Sequence, residues 1–437
     1  MPTVRAFRAL RYSAEVVPDL TAVVAPPYDV ISPELRRALL ARDPRNVVRL
    51  DFPPGEPGDP DDDERYRRAG RLLREWRSDG TLRRDPRPSL YAYEQAFHLP
   101  GAGDGEPLVR RGVFARLTLE PFGPGSGVRP HERTLSGAKE DRYRLLRATG
   151  VNTSPVVGLY EDPAGDVARW LEGVAAIPPV ADLVDADGVR HRLWVEPDPG
   201  WVADRMGASP ITIADGHHRY ETALRYRDER RHGLPQGAED GPWDKILGLL
   251  LEPIAGPVAI LATHRVLRGL GSAGVRALVS RLPELFEVQA GVSRERLLEA
   301  FRPGSPAPAG GGRFGLWTRE GGAILQAHRE AFEPLLPSGG RALRRLDVTL
   351  LGVALDRLAA VDARVVDAGA TMAYTKDAGE AMAWVDEARD GADAAFLLDP
   401  TPAAAMMAVA ADGDVMPQKS TYIHPKALTG LVINPLE

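Results

Sequence analysis

The sequence predicts a mixed α/β fold, and three features carry that expectation. Segments of strand character alternate with segments of helical period along most of the 437 residues, the pattern of sheets covered by helices. An early pair of alternating runs, 91–97 and 113–119, flanks a glycine-rich turn at 101–105 and reads as a hairpin. That hairpin makes the sheet mixed. A short apolar strand at 211–214 then runs through a turn at 215–218 into a helix from 219 to 231.

The remaining elements follow in chain order. Residues 25–33 (Ala-Pro-Pro-Tyr-Asp-Val-Ile-Ser-Pro) are turn-rich, and Ser32 before Pro33 reads as the cap of a helix. Residues 53–63 form a Pro-, Gly- and Asp-rich surface loop, after which Tyr66, Ala69, Leu73 and Trp76 recur at helical spacing. A short helix is expected near 139–147, a strand at 156–160 and a helix around Trp170. Strands near 246–251 and 258–262 come next. In the final third, helices are expected near 273–286, 295–302, 346–360, 377–389 and 401–410, with strands near 313–318, 322–327, 370–374, 393–398 and 429–433.

Composition bounds the function. The length allows two or three cores at about 150 residues each. Cysteine is absent, which removes disulfides, thiol nucleophiles and cysteine metal sites. The apolar stretch at 246–262 is broken by Glu252, Pro253, Gly256 and Pro257, so no membrane span is expected, and the N-terminal residues lack the apolar core of a secretory signal. A cytoplasmic location is the expectation. A net charge of −6 argues against a dedicated nucleic-acid partner and leaves a small molecule as the expected one. Only five of the 55 basic residues are lysines, namely Lys139, Lys245, Lys376, Lys419 and Lys426. Where arginine is the default cation, a lysine marks a place for a compact ammonium.

Three polar motifs carry chemistry. The first is Asp215-Gly216-His217-His218-Arg219 at a strand-to-helix turn, where unpaired N–H groups and the helix dipole favour an anion. Gly216 admits close backbone approach, His217, His218 and Arg219 add donors to phosphate, and Asp215 can hold Mg²⁺ or accept a proton. The second is His131-Glu132-Arg133-Thr134 with Lys139, Asp141 and Arg142. Glu132 is a candidate general base, and Lys139 and Arg142 are candidate phosphate cations. The third is Met416-Pro417-Gln418-Lys419-Ser420-Thr421-Tyr422-Ile423-His424-Pro425-Lys426, a proline-bounded loop offering Lys419 to phosphate and Ser420 and Thr421 to a substrate pocket. Tyr28 and Asp29 are further pocket candidates. Zinc is not expected, because His217 and His218 are adjacent and thiolates are absent. There is no Walker loop or nucleophile elbow.

Together with Pro26-Pro27-Tyr28-Asp29-Val30-Ile31, these motifs make the chain resemble domain-of-unknown-function family 1015, a widespread prokaryotic family, over nearly its whole length. More distantly, Asp215-Gly216-His217-His218-Arg219 looks like the phosphate-binding motif of the ParB and sulfiredoxin superfamily, which includes nucleotide-dependent DNA clamps and kinases acting on free serine. The resemblance implies a ParB/sulfiredoxin-like nucleotide-binding core at 151–265, between an N-terminal region at 1–150 that holds the hairpin and a C-terminal α/β lobe at 266–437. It implies phosphate contacts from Gly216, His217, His218 and Arg219, with Asp215 catalytic or metal-linked. Glu132 comes from local chemistry alone, and with Asp215 and His218 it completes the expected catalytic set. Sulfiredoxin chemistry needs a cysteine and is excluded. The implied activity is that of a small-molecule kinase using Mg²⁺ with ATP, ADP or pyrophosphate on free serine or a similar hydroxyl compound. A ParB-type nucleotide switch, possibly on DNA, and a phosphate-ester hydrolase are the alternatives.

Overall fold

In a computed structural model the protein is described at residues 1–101, 105–132, 136–197, 199–235, 237–253, 256–308, 310–362, 365 and 371–437. Arg133 and Thr134 of the second motif, and the start of the strand expected at 370, lie outside the described residues.

Two large sheets organise the chain. The expected hairpin forms between Ser89–Phe97 and Leu108–Thr118, with Tyr91 opposite Phe114. It lies inside a mixed nine-stranded sheet ordered Val128–Arg129, Ile211–Asp215, Val156–Leu159, Lys245–Leu251, Leu108–Thr118, Ser89–Phe97, Arg190–Pro197, Ala181–Val184, with Val4–Arg5 added beside Leu108–Thr118. Strands from before and after residue 150 therefore lie side by side. Lys245–Leu251 runs parallel to Val156–Leu159 and antiparallel to Leu108–Thr118. Its side chains alternate between two cores: Ile246 and Leu250 face one, Leu247, Leu249 and Leu251 the other. A strand buried on both faces reads as a continuous apolar run, which is the sequence signal at this position.

The second sheet is antiparallel throughout, ordered Phe286–Val292, Gly321–Ala327, Arg313–Thr318, Ala392–Leu398, His264–Arg268, Met372–Thr375. Phe314, Leu316 and Phe396 of this sheet share one continuous core with Tyr93, Phe114 and Leu249 of the first, and helix Asp347–Ala359 contributes Leu351 and Leu355. Each fully buried side chain of this size stabilises by about 1.5–3 kcal/mol, so the two sheets are held against one another by a shared interior.

Several expectations shift. The helix expected at 273–286 ends at Arg281, and Phe286, Val288 and Val292 enter a strand with period-two spacing. The strand expected at 429–433 does not form. That segment is buried but makes only the single bridges Ala25–Thr429 and Leu10–Ile433 before Asn434–Pro435 pairs with Val151–Asn152. The hairpin of Ala181–Val184 and Arg190–Pro197 was not expected at all. Among the described residues, no helix is long and apolar enough to cross a membrane.

Candidate functional site

Strand Ile211–Asp215 is buried until its last residue, so it stays in the sheet and delivers Asp215 to the rim. The turn that follows is a single residue. Gly216 sits at φ 87°, and a Cβ there would lie 3.0 Å from the Arg219 guanidinium; only glycine meets both conditions. The helix begins at His217, two residues earlier than expected, and runs to Arg231 with no side chain capping it. Its first N–H groups and the positive end of its dipole face outward at this point.

They face a cleft of about 840 Å³ that the three motifs line together. Tyr28 and Asp29 come from the N-terminal turn, His131 and Glu132 from the second motif, residues 214–219 from the first, and Lys419, Thr421, Tyr422 and Lys426 from the third. The second sheet adds Tyr374, Thr375, Lys376, Asp377 and Glu380.

Asp215 is the electrostatic centre. One carboxylate oxygen accepts from Lys426 Nζ at 2.5 Å and the other from Arg219 Nη2 at 2.7 Å. Burial opposes ionisation here, but the Lys426 ammonium and the Arg219 guanidinium outweigh it and hold the carboxyl well below the usual carboxylate range. Two cations on one carboxylate leave surplus positive charge. Lys426 is placed by the first sheet: buried Arg110 donates to the carbonyls of His424 (3.0 Å) and Pro425 (2.6 Å), and Gln95 donates to the carbonyl of Lys426 (3.0 Å).

With both oxygens taken by cations, Asp215 does not fit the Mg²⁺ role expected of it. Among the described residues no group of three or more His, Asp or Glu side chains is placed to hold a metal, whereas Mg²⁺ wants near-octahedral oxygen donors. A carboxylate this acidic is also a weak proton acceptor at neutral pH.

Glu132 is the opposite case. Burial pushes its carboxyl up, against hydrogen bonds from the Lys419 and Ser420 backbone and the Lys419 charge. The Ser420 N–H lies 3.4 Å from its Oε2. A carboxylate raised in this way is a stronger proton acceptor than an ordinary one.

The two adjacent histidines differ. His217 turns inward, where its Nε2 accepts the backbone N–H of His131 at 3.2 Å, and burial drives its basicity far down. With Nε2 accepting, that nitrogen is not available to donate to a phosphate, and any contact of the kind expected would come from Nδ1. His131 packs edge-on against it at 4.5 Å, bonds through Nδ1 to the Ile213 carbonyl, and through Nε2 meets the Thr421 hydroxyl at 2.9 Å. The carbonyl can only accept, so the proton sits on Nδ1 and Thr421 donates to Nε2. Burial lowers His131 to about 4. His218 stays on the cleft surface, its basicity lowered by burial and then by the Lys419 charge.

Three other candidates fall outside the cleft lining. Lys139 is held by Glu221 at 2.8 Å. Arg142 is buried, donates to Asp141 and to the Asp51 carbonyl, and lies 4.0 Å over the Tyr28 ring, so it backs a pocket residue and leaves phosphate to others. Ser420 is buried with its hydroxyl donated to the Pro417 carbonyl. Conversely, Lys426 carried no assigned role and the 374–380 segment was overlooked. The signal for both was lysine scarcity: Lys376, Lys419 and Lys426, three of the five lysines, line this one cleft.

Among solved structures, the chain is similar to a conserved hypothetical protein from Pyrococcus furiosus, at 15% identity and TM-score 0.33, with 71% of this chain and 89% of that one covered. It is also similar to a free serine kinase in complex with AMP (15% identity, TM-score 0.35, 71% and 86% covered) and to SbnI with C-terminal truncation from Staphylococcus aureus (11% identity, TM-score 0.35, 72% and 87% covered). No curated protein matches the sequence. The family model described as "Protein of unknown function (DUF1015)" matches residues 4–349, and the chain therefore belongs to the DUF1015 family.

Proposed function

We propose that the protein is a small-molecule phosphotransferase that moves a phosphoryl group from ATP, ADP or pyrophosphate to the hydroxyl of a small acceptor such as free serine. The observation that carries this reading is the convergence of three distant polar motifs on one cleft, at an uncapped helix start ringed by lysines. In-line phosphoryl transfer asks mainly for positioning and charge neutralisation, and this cleft supplies cations around an anion site with a raised carboxyl beside it.

In this reading the donor phosphates lie at the amino end of helix His217–Arg231, near His218, Lys419 and Lys426. The acceptor oxygen bonds to phosphorus as the bond to the donor's bridging oxygen breaks, and Glu132 takes the hydroxyl proton. Asp215 fixes Lys426 and Arg219 in place and is a positioning residue. Tyr28, Asp29 and Thr421 line the acceptor's side. The working unit is then both sheets together, because residues 151–265 alone lack the three lysines of the cleft.

The test is phosphorus NMR on the full chain with serine and each donor, with and without Mg²⁺. Phosphoserine should accumulate with at least one donor, and Glu132→Gln should slow it by about a hundredfold or more, the scale of a lost general base. If every donor leaves serine unmodified, the serine version fails. Release of inorganic phosphate alone would identify a hydrolase, and binding without turnover a nucleotide switch.

A further inference from the structure

Lys376 follows the last residue of strand Met372–Thr375 in the second sheet and belongs to none of the three motifs. Its ammonium lies 3.3 Å from the Tyr422 hydroxyl and 4.7 Å from the centre of the Tyr422 ring. Lys426 lies at the same 4.7 Å from the same ring while it holds Asp215. The two ammonium groups thus stand no farther apart than twice that radius, and one phenol ring is their common neighbour. Asp215 is shared between Lys426 and Arg219, so positive charge remains in excess on that side. Lys376 makes an ion pair with no carboxylate among the described residues, and the Asp377 side chain next to it is engaged in accepting the Glu380 N–H that starts helix Ala378–Asp386.

Like charges gathered on one ring repel, and the cation–π attraction is worth only about 0.5–1 kcal/mol at an exposed site. A multiply charged anion bound between the sheets removes that repulsion. We propose that Lys376 is a further phosphate-binding residue of the cleft, one that selects a diphosphate-containing donor by gripping it from the second sheet while the helix start and Lys426 grip it from the first. This rests on the phosphotransferase reading and extends it to the class of donor. A phosphoanhydride, with two phosphorus centres, reaches both ammonium groups even at the upper bound of their separation, where a single phosphate seated at the helix start would serve Lys376 less well. When the anhydride P–O bond breaks, the electron pair stays on the leaving phosphate, and Lys376 is placed to balance that charge.

The experiment is calorimetric titration of the full chain with pyrophosphate and, separately, with inorganic monophosphate. Lys376→Met should weaken pyrophosphate about tenfold and change monophosphate much less. Lys376→Arg should keep most of the pyrophosphate affinity. Lys245→Met, which removes a lysine 4.0 Å from Asp240 and away from the cleft, should match the parent. Equal pyrophosphate affinity in parent and Lys376→Met overturns the proposal and leaves the phosphotransferase reading standing. Equal losses for both anions also overturn the selectivity claim. If the parent binds neither anion, the phosphotransferase reading falls and this inference with it.

Discussion

On the first-sheet side of the cleft the charged and ring groups are paired with one another; on the other side Lys376 makes an ion pair with no carboxylate among the described residues, and Lys419, in the loop before Tyr422, acts on the Glu132 carboxyl through its charge. Asp215 holds Lys426 and Arg219, and His131 and His217 hold each other. Lys376 leans on Tyr422, and Lys419 projects from a residue at φ 54°, a left-handed conformation that non-glycine residues adopt at a cost. The difference teaches that the first side is set during folding and contributes to stability, whereas the second is the side the proposed anion would complete. Substitutions should therefore separate into those that weaken the fold and those that weaken binding.

The largest expected effect is on the first side. Asp215→Asn leaves Lys426 and Arg219 together without their counter-charge, and urea unfolding should show a loss of about 3 kcal/mol, the scale of breaking one member of a shielded ion pair. Adding Lys426→Met should recover part of that loss. A loss below about 0.5 kcal/mol would put Asp215 among ordinary surface carboxylates and end the contrast.

Acidification probes the same side without substitution. The folded-state value of His131 lies at about 4 against an ordinary 6.5, and His217 is depressed in the same direction. Between those values the unfolded chain takes up protons that the folded chain refuses, so stability must rise with pH across the window and fall as pH drops from 6.5 toward 4. Urea midpoints measured over that range check the sign; a flat profile contradicts the neutral, mutually bonded pair.

Next in size is the contrast between neighbours. His217→Ala removes the acceptor of a buried N–H and should cost about 1–3 kcal/mol in urea unfolding. His218→Ala should change stability little and weaken pyrophosphate binding by calorimetry. Reversed outcomes would exchange the two roles. The smallest effect is at Lys419. Lys419→Gly relieves the left-handed backbone and should stabilise by about 1 kcal/mol, while pyrophosphate affinity drops; a gain in stability with unchanged affinity would remove Lys419 from the anion site.

Much of the fold was legible because its signals are local. The spacing of Tyr66, Ala69, Leu73 and Trp76 marks the buried face of helix Glu64–Ser78, and Ser32 caps helix Pro33–Arg42 by accepting the Leu35 N–H, as its position before Pro33 implies. Less legible were features decided by partners elsewhere. Residues 429–433 are as apolar as a strand, but the chain beside them offers isolated bridges instead of a ladder. The hairpin missed at 181–197 did carry a local signal, Asp187-Gly188 between its strands, with Gly188 at φ 77°.

The site divides in the same way. A strand running into Gly216 announces an anion-binding turn. Nothing in two consecutive histidines says which one turns inward, since that depends on the His131 backbone reaching His217. Lys139 looked like a phosphate cation because its partner Glu221 is remote in sequence, and Arg142 because the Asp51 carbonyl and the Tyr28 ring that bury it come from far along the chain, although its carboxylate partner Asp141 is its neighbour. Lys376 stood outside any motif, and only its rarity as a lysine distinguished it.

The segment that carries Lys419 and Lys426 is followed by residues that return to the first sheet, where Arg116 donates to Asn434 and to the Pro435 carbonyl. The anchoring order has a consequence for biosynthesis. Both sheets can be laid down on the ribosome while the cleft still lacks two of its ammonium groups, and the stretch that follows then joins the two. A nascent chain halted before that stretch would carry a nearly complete scaffold without Lys419 and Lys426, so the cleft reaches its full positive charge only late in synthesis.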